Sequence, residues 1–217
     1  HLAAAFGHVP VVSALIDRNG DIEARDALEG TPLQAAAYHG HIRAAEALLA
    51  ARADITSRSK GGSVLHSAVL VGKPGCRDVA EWLVSHGAEA NQRDGNGLTP
   101  LGLAAALGHA PIVAALLAAR VAVDEPHAKK EGSSPLQAAL LYNRVHVARV
   151  LIQGNASLED RGPRGFPLQL LLQQERVELI KEAVDLGAVT PARLMEVADR
   201  AGRQRVALQA IGSPVEL

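Results

Sequence analysis

The sequence is poor in the residues that most chemistry and most large cores use. Its 217 residues hold one cysteine, one tryptophan, two tyrosines and two phenylalanines. A single thiol, Cys76, excludes an internal disulfide and a cysteine-rich metal site, and it suits a reducing compartment. A cytoplasmic location is therefore expected, with the nucleus as the other intracellular setting. Aromatics at 2% cannot supply the bulk of a core, so the 48% hydrophobic content must come from small and aliphatic side chains. That composition suits closely packed helices better than sheets, which favour β-branched and aromatic residues. A basic excess is also missing. Lys and Arg number 22 against 23 Asp and Glu, for a net charge of −1, which speaks against nucleic acid as the main partner. No apolar run approaches the roughly 18 residues of a membrane span, so no membrane insertion is expected.

What the sequence does have is self-similarity. Gly30-Thr31-Pro32-Leu33-Gln34-Ala35-Ala36-Ala37 is followed by Gly40-His41 and then Leu48-Leu49. The frame returns at Leu65-His66-Ser67-Ala68, at Thr99-Pro100-Leu101, at Ser134-Pro135-Leu136-Gln137 and at Phe166-Pro167-Leu168-Gln169. The chain opens inside a further copy, with Ala3-Ala4, Gly7-His8 and Leu15-Ile16. The marker leucines lie 32, 36, 35 and 32 residues apart, from Leu33 through Leu65, Leu101 and Leu136 to Leu168. A fixed period of this length marks stacked supersecondary units.

Each recurring residue has a physical task. Thr31, Thr99 and Ser134 are suited to cap a helix N-terminus with a side-chain oxygen. The prolines that follow sit at the first helical position, where no N–H is needed. Paired alanines let helices approach closely, and Gly7, Gly40, Gly72 and Gly108 suit a left-handed helix end. A second helix follows each, with apolar residues three to four apart before the Leu-Leu or Leu-Ile pair. Gly20, Gly30, Gly87, Gly97 and Gly165 mark turn-rich loops between copies.

The Thr-Pro-Leu frame, its period and the Gly-His pair resemble the ankyrin repeat family over roughly residues 1–189. The resemblance implies an all-α solenoid of about six helix-turn-helix units with projecting β-turn fingers. It further implies a protein-interaction module or scaffold, a monomer with no catalytic residues, cofactor or metal. The alternative is a structural spacer or an intramolecular regulatory segment of a larger multidomain protein. Residues 190–217 are expected to form a helical cap and tail, since Thr190-Pro191 starts a helix, Leu194, Met195, Val197 and Ala198 give it an apolar face, and Gly202 breaks it. The array is expected to be open at its N-terminal end, with the first repeat truncated.

The departures are local. Lys73 to Asp78 lengthen the third repeat by about three residues and read as an inserted loop, and the finger from Asp124 to Ser133 is also long. Gly102 stands where His or Gln usually follows the marker leucine. The last repeat is eroded, with Asn155 in a usual glycine place and Leu170-Leu171 replacing the alanine pair.

The nine histidines do not form a catalytic set. His8, His41 and His109 fall in the Gly-His position, and His1 and His66 after the marker leucine; in the family such histidines brace the repeat by local hydrogen bonds. His39 and His41 straddle a helix end, which points their rings apart. Cys76, with Lys73 and Arg77 near in sequence, reads as an exposed, incidental thiol. Gly95-Asn96-Gly97 lacks the Lys-Ser/Thr of a phosphate loop. Trp82, where Val is usual, is expected to pack between repeats. Asn91 resembles the asparagine that some ankyrin proteins offer to hydroxylases.

Binding has a sharper signature. In the family the two positions before the helix-ending glycine face the concave groove. Here that places Phe6, Tyr38, His39, Leu70, Val71, Leu107, Leu141 and Tyr142 in a row without charge, with Gln173 and Gln174 in the last copy. Three of the five aromatics fall in this set, and aromatics are frequent interface anchors. The fingers would add Arg25, Asp26, Glu29, Arg58, Lys60, Asp94, Asn96, Lys129, Lys130 and Arg164. Basic residues near 58–60 and 127–130 would favour an acidic peptide as the partner.

Overall fold

The structure, a computed structural model, describes residues 1–124, 133–159 and 165–212. The chain divides into two compact units, residues 1–122 and 123–217.

The first unit stacks four helix pairs. They are α1 (Leu2–Ala5) with α2 (Val9–Asp17), α3 (Pro32–His39) with α4 (Ile42–Ala50), α5 (Val64–Leu70) with α6 (Pro74–Ser85), and α7 (Pro100–Leu107) with α8 (Ala110–Ala118). Ahead of α5 the finger forms a small antiparallel ribbon, β1 (Arg58–Ser59) and β2 (Gly62–Ser63), with Arg58 opposite Ser63. First helices pack on first helices (α3 against α1 and α5, and α5 against α7), and second helices on second helices in the same order.

Local chemistry explains each start. The Thr31 hydroxyl accepts from the Gln34 N–H at 3.3 Å and Thr99 from the Gly102 N–H at 3.1 Å, each with proline next in the chain. Behind the caps, Leu33, Leu65 and Leu101 are fully buried among Ala36, Ala37, Ala68, Ala104 and Ala105. Removing one such leucine from water stabilises the stack by roughly 1.5–3 kcal/mol. The alanines let neighbouring helices come close enough to cover it.

The extra residues of the third repeat are not a loop. They lengthen α6 to 12 residues, against 9 in α2, α4 and α8, because Pro74 is suited to a first turn. Cys76 is thereby fully buried, its thiol 3.6 Å from the Tyr38 carbonyl oxygen. The expectation of an exposed thiol in a loop is corrected on that ground.

The second unit holds α9 (Pro135–Leu141) with α10 (Val145–Gln153), α11 (Pro167–Gln173) with α12 (Val177–Asp185), and α13 (Pro191–Ala201) with α14 (Gln204–Ala210). Ser134 caps α9 by accepting from the Gln137 N–H at 3.3 Å, and Thr190 caps α13 through the Arg193 N–H at 3.2 Å. Leu170, Leu171 and Leu172 are buried, and Leu171 stands where the other copies carry alanine, as at Ala36, Ala68, Ala104 and Ala139. The left-handed positions after α9 and α11 are Asn143 and Glu175, and Asn155 is left-handed as well. Val206, Ala207 and Ala210 bury α14 against α12 and α13.

Candidate functional site

The residue after the marker leucine connects neighbouring repeats. The His1 imidazole bonds the Gly30 carbonyl through Nε2 at 2.9 Å, and His66 bonds the Leu98 carbonyl through Nε2 at 2.9 Å. Gln34 and Gln137 have the same task, donating from Nε2 to the Gly62 carbonyl at 3.0 Å and the Gly165 carbonyl at 2.7 Å. In Gln34, His66 and Gln137 the other end of the side chain turns back on its own helix start. Gln34 accepts from the Thr31 N–H, and His66 Nδ1 lies 2.8 Å from the Ser63 hydroxyl. His66 is 1% exposed, and burial holds its pKa below the ordinary value despite the opposing effects of the Leu98 carbonyl and Asp94. Gly102 has no side chain for this link.

The Gly-His histidines brace differently from the expectation. Among the described residues His8, His41 and His109 make no side-chain cap bond to the helices they precede. Instead, the His41 ring fills the space beside Gly7, where an added Cβ would stand 2.7 Å from Nδ1, and the His109 ring does the same beside Gly72. Packing replaces hydrogen bonding because the glycine leaves a ring-sized hollow. In the third repeat Lys73 takes this place, and the backbone of Gly75 fills the hollow beside Gly40.

Cys76 has the wrong environment for a nucleophile. Burial pushes its thiol pKa up, and the nearby Lys73 charge offsets this only in part. No group of three or more metal-ligating side chains gathers among the described residues. Trp82 is half-buried with its ring 4.3 Å from that of His86, and Asn91 is exposed in a turn.

The charged finger residues of the first unit are largely engaged within the fold. Asp26 accepts from the Leu28 and Gly30 N–H groups, both at 2.8 Å, and Asp94 accepts likewise from Asn96 at 2.9 Å and Leu98 at 2.8 Å. These carboxylates shape the turns. Arg25 donates to its own finger at the Glu29 carbonyl (2.8 Å) and to the next at the Arg58 carbonyl (2.6 Å). Arg58 donates in turn to the Arg93 carbonyl, and Arg93 to the Gly97 carbonyl at 3.3 Å. The arginines form a ladder across three fingers, a role that sequence reading missed although their spacing follows the repeat. Glu29 and Lys60 pair at 3.5 Å. Asn96 is exposed, and Lys129, Lys130 and Arg164 lie outside the described residues.

The groove positions are arranged otherwise. Phe6 is 67% exposed, Tyr38 37%, Leu70 43% and Leu107 36%, while His39 and Val71 are half-buried. All six belong to the first unit. In the second, Tyr142 is exposed and Leu141 half-buried. Between the helix ends and fingers of the first unit lies a hollow of about 430 Å³ lined by Leu2, Leu28, Tyr38, His39 and Leu70 among others. Two of its polar walls, Gln34 and Asp26, already carry the bonds described above. A smaller hollow of about 200 Å³ is lined by Val12, Leu15 and Ile16 of the first repeat and by Pro32 and Leu48 of the second.

The row is not wholly free of charge. The Lys73 ammonium donates to His39 Nδ1 at 3.1 Å, and the His39 ring meets Tyr38 edge-on at 4.9 Å. Partial burial, then Lys73 and His41, hold the His39 pKa below its usual value, which keeps the imidazole a neutral acceptor. Lys73 makes no ion pair among the described residues.

Comparison with known proteins agrees with this geometry. The family described as ankyrin repeats (3 copies) matches residues 1–94 and 65–161. A Caenorhabditis elegans homologue of transient receptor potential cation channel subfamily A member 1 is 32% identical over 54% of this chain and 9% of its own length. The glycerophosphocholine phosphodiesterase gde1 of Schizosaccharomyces pombe is 28% identical over 85% of this chain and 19% of its own. The chain thus spans less than a fifth of the length of these two relatives. The ankyrin repeat domain of human ASB11 superposes with a TM-score of 0.71 and 25% identity, covering 99% of this chain and 98% of that one. Repeats of this kind are generally protein–protein interaction modules, and among the described residues no helix is long and apolar enough to cross a membrane. The chain belongs to the ankyrin repeat family.

Proposed function

We propose that the first unit binds a partner polypeptide in the groove formed by Phe6, Tyr38, His39, Leu70, Val71 and Leu107, without catalysis. One observation carries this reading: at Phe6, Tyr38, Leu70 and Leu107 large apolar side chains stay exposed, while the polar groups Asp26 and Gln34 nearby are spent on the fold itself. A contiguous exposed apolar surface on an otherwise well-satisfied protein marks a binding site. A hollow of about 430 Å³ between helix ends and fingers accepts the side chains of an extended segment. The fingers act as a fixed wall, since the arginine ladder and the turn carboxylates hold them in register.

The test is selection of random dodecapeptides on the purified chain, followed by titration of the winners. Tyr38→Ala with Leu70→Ala removes two partly exposed side chains and is expected to leave the helical circular dichroism unchanged. Affinity for the selected peptides should fall at least tenfold, as anchors near the centre of an interface do. Undiminished affinity in a folded double variant overturns the groove as the binding face.

A further inference from the structure

We infer that the groove selects a partner segment in which an aspartate or glutamate side chain stands beside a short apolar run, the carboxylate docking on Lys73. The inference rests on the groove reading above and names the partner's chemistry. Three observations carry it.

The first is position. In the repeats before and after, the residue following the helix-ending glycine is histidine, and the His41 and His109 rings turn under the preceding repeat. In the third repeat the residue is Lys73, and Gly75 fills the hollow instead. The lysine is thereby released from bracing and reaches His39 at the end of α3, beside Tyr38.

The second is preorganisation. A free lysine side chain loses considerable rotamer freedom when a ligand orders it. Here the bond to His39 Nδ1 already holds the ammonium at the margin of the groove. That bond takes one of the three ammonium donors, so others remain for a carboxylate, and charge-assisted bonds of this type are the strong ones.

The third is charge complementarity along the groove. Towards the fingers the hollow is lined by Asp26, with the paired Glu29 in the same finger. A partner carboxylate is disfavoured there and favoured at the Lys73 end. Among the described residues of the first unit, the basic finger side chains are already engaged, Arg58 in the ladder and Lys60 with Glu29. An internal side chain fits better than a chain terminus, because exposed groove residues continue beyond Leu70 to Leu107 on α7.

The experiment compares dodecapeptides selected from a library joined at both ends to its carrier, on the wild-type chain, on Lys73→Gln and on Lys73→Arg. On wild type, the winners should share Asp or Glu at one spacing from an apolar pair. On Lys73→Gln that position should lose its acid, and a wild-type winner should bind at least fivefold more weakly. On Lys73→Arg the acid should persist. Affinity should also fall with added NaCl for wild type and much less for Lys73→Gln. Winners that are apolar with no acid preference, or an acid preference that survives Lys73→Gln, overturn this inference and leave the groove reading standing. No enrichment on wild type overturns both.

Discussion

The two units solve the same problem, joining one repeat to the next, with different chemistry. In the first, the links described above end mostly on backbone: imidazole or amide to carbonyl, guanidinium to carbonyl, and backbone against backbone at Gly40 and Gly75. In the second, Gln137 keeps the amide link, but side-chain ion pairs are prominent. Arg149 meets Glu182 at 3.0 Å, Arg193 meets Glu159 at 2.7 Å, and Arg203 meets Glu175 at 3.6 Å. The groove positions are mostly apolar from Phe6 to Leu107 and still apolar at Leu141 and Tyr142 in the second unit, and become polar only at Gln173 and Gln174. Backbone-directed links use few side-chain ion pairs, so the apolar row of the first unit meets fixed charge mainly at Lys73.

The largest test of this contrast uses two left-handed glycines. Gly40 has φ 77°, and an added Cβ would stand 2.8 Å from the Gly75 carbonyl carbon, which is backbone and cannot swing aside. Gly202 has φ 64° with nothing within 4 Å of the same position. Gly202→Ala should therefore cost only the conformational strain, about 1–2 kcal/mol. Gly40→Ala adds overpacking and should cost about 2–5 kcal/mol in all. Urea unfolding of both variants measures the difference. Equal costs would remove the backbone contact from the account of how the first unit is held.

The repeats were legible because their signals are local. Thr31, Pro32 and Leu33 each act within one turn of the residue that reveals them, and Leu33 is buried in any copy that folds. The exposure of Phe6, Tyr38, Leu70 and Leu107 was legible for the same reason, since their positions are fixed by distance from a helix end. Lys73 to Asp78 were misread because glycine and proline together suggest a loop, although proline is equally at home in a first helical turn. Cys76 followed that error. The bonds between fingers were not legible for another reason: Arg25 donates to a carbonyl 33 residues away, a partner visible only once the stack exists. Their spacing, Arg25 to Arg58 to Arg93, carried the information in the period itself.

A middle-sized effect separates the two kinds of inter-repeat side chain. His66 and Gln34 make the same link, but only His66 titrates. Burial lowers its pKa in the folded chain, while the unfolded chain takes up the proton near pH 6.5. The unfolded state then binds more protons than the native one, so stability is lost as pH falls below about 6.5. The loss from one such group is at most about 1.4 kcal/mol per pH unit. His66→Gln copies the solution used at Gln34 and Gln137. It should keep the bond to Leu98 and flatten the stability profile between pH 7.5 and 5.5, measured by thermal unfolding. An unchanged slope would show that the acid sensitivity comes from elsewhere.

The smallest effect belongs to α13. Glu196 accepts from Arg193 and Arg200, both at 2.7 Å, and these guanidiniums hold its carboxyl below the usual range. Such pairs are solvent-exposed and are screened within about 10 Å at 0.1 M salt and about 3 Å at 1 M. Glu196→Gln should therefore loosen α13 slightly at low ionic strength and make no difference in 1 M NaCl, whereas amides of α3 and α5 should exchange at the same rate in both. Hydrogen exchange resolves the two regions separately, because stability in a repeat stack is a sum of neighbouring contributions. Salt-sensitive exchange of α3 and α5 in the wild-type chain would break the contrast, for it would mean that fixed charge also holds the groove-bearing unit together. Salt-sensitive exchange confined to α13 and α14 would sharpen it, leaving peptide affinity as the property of the first unit on which ionic strength acts, through Lys73.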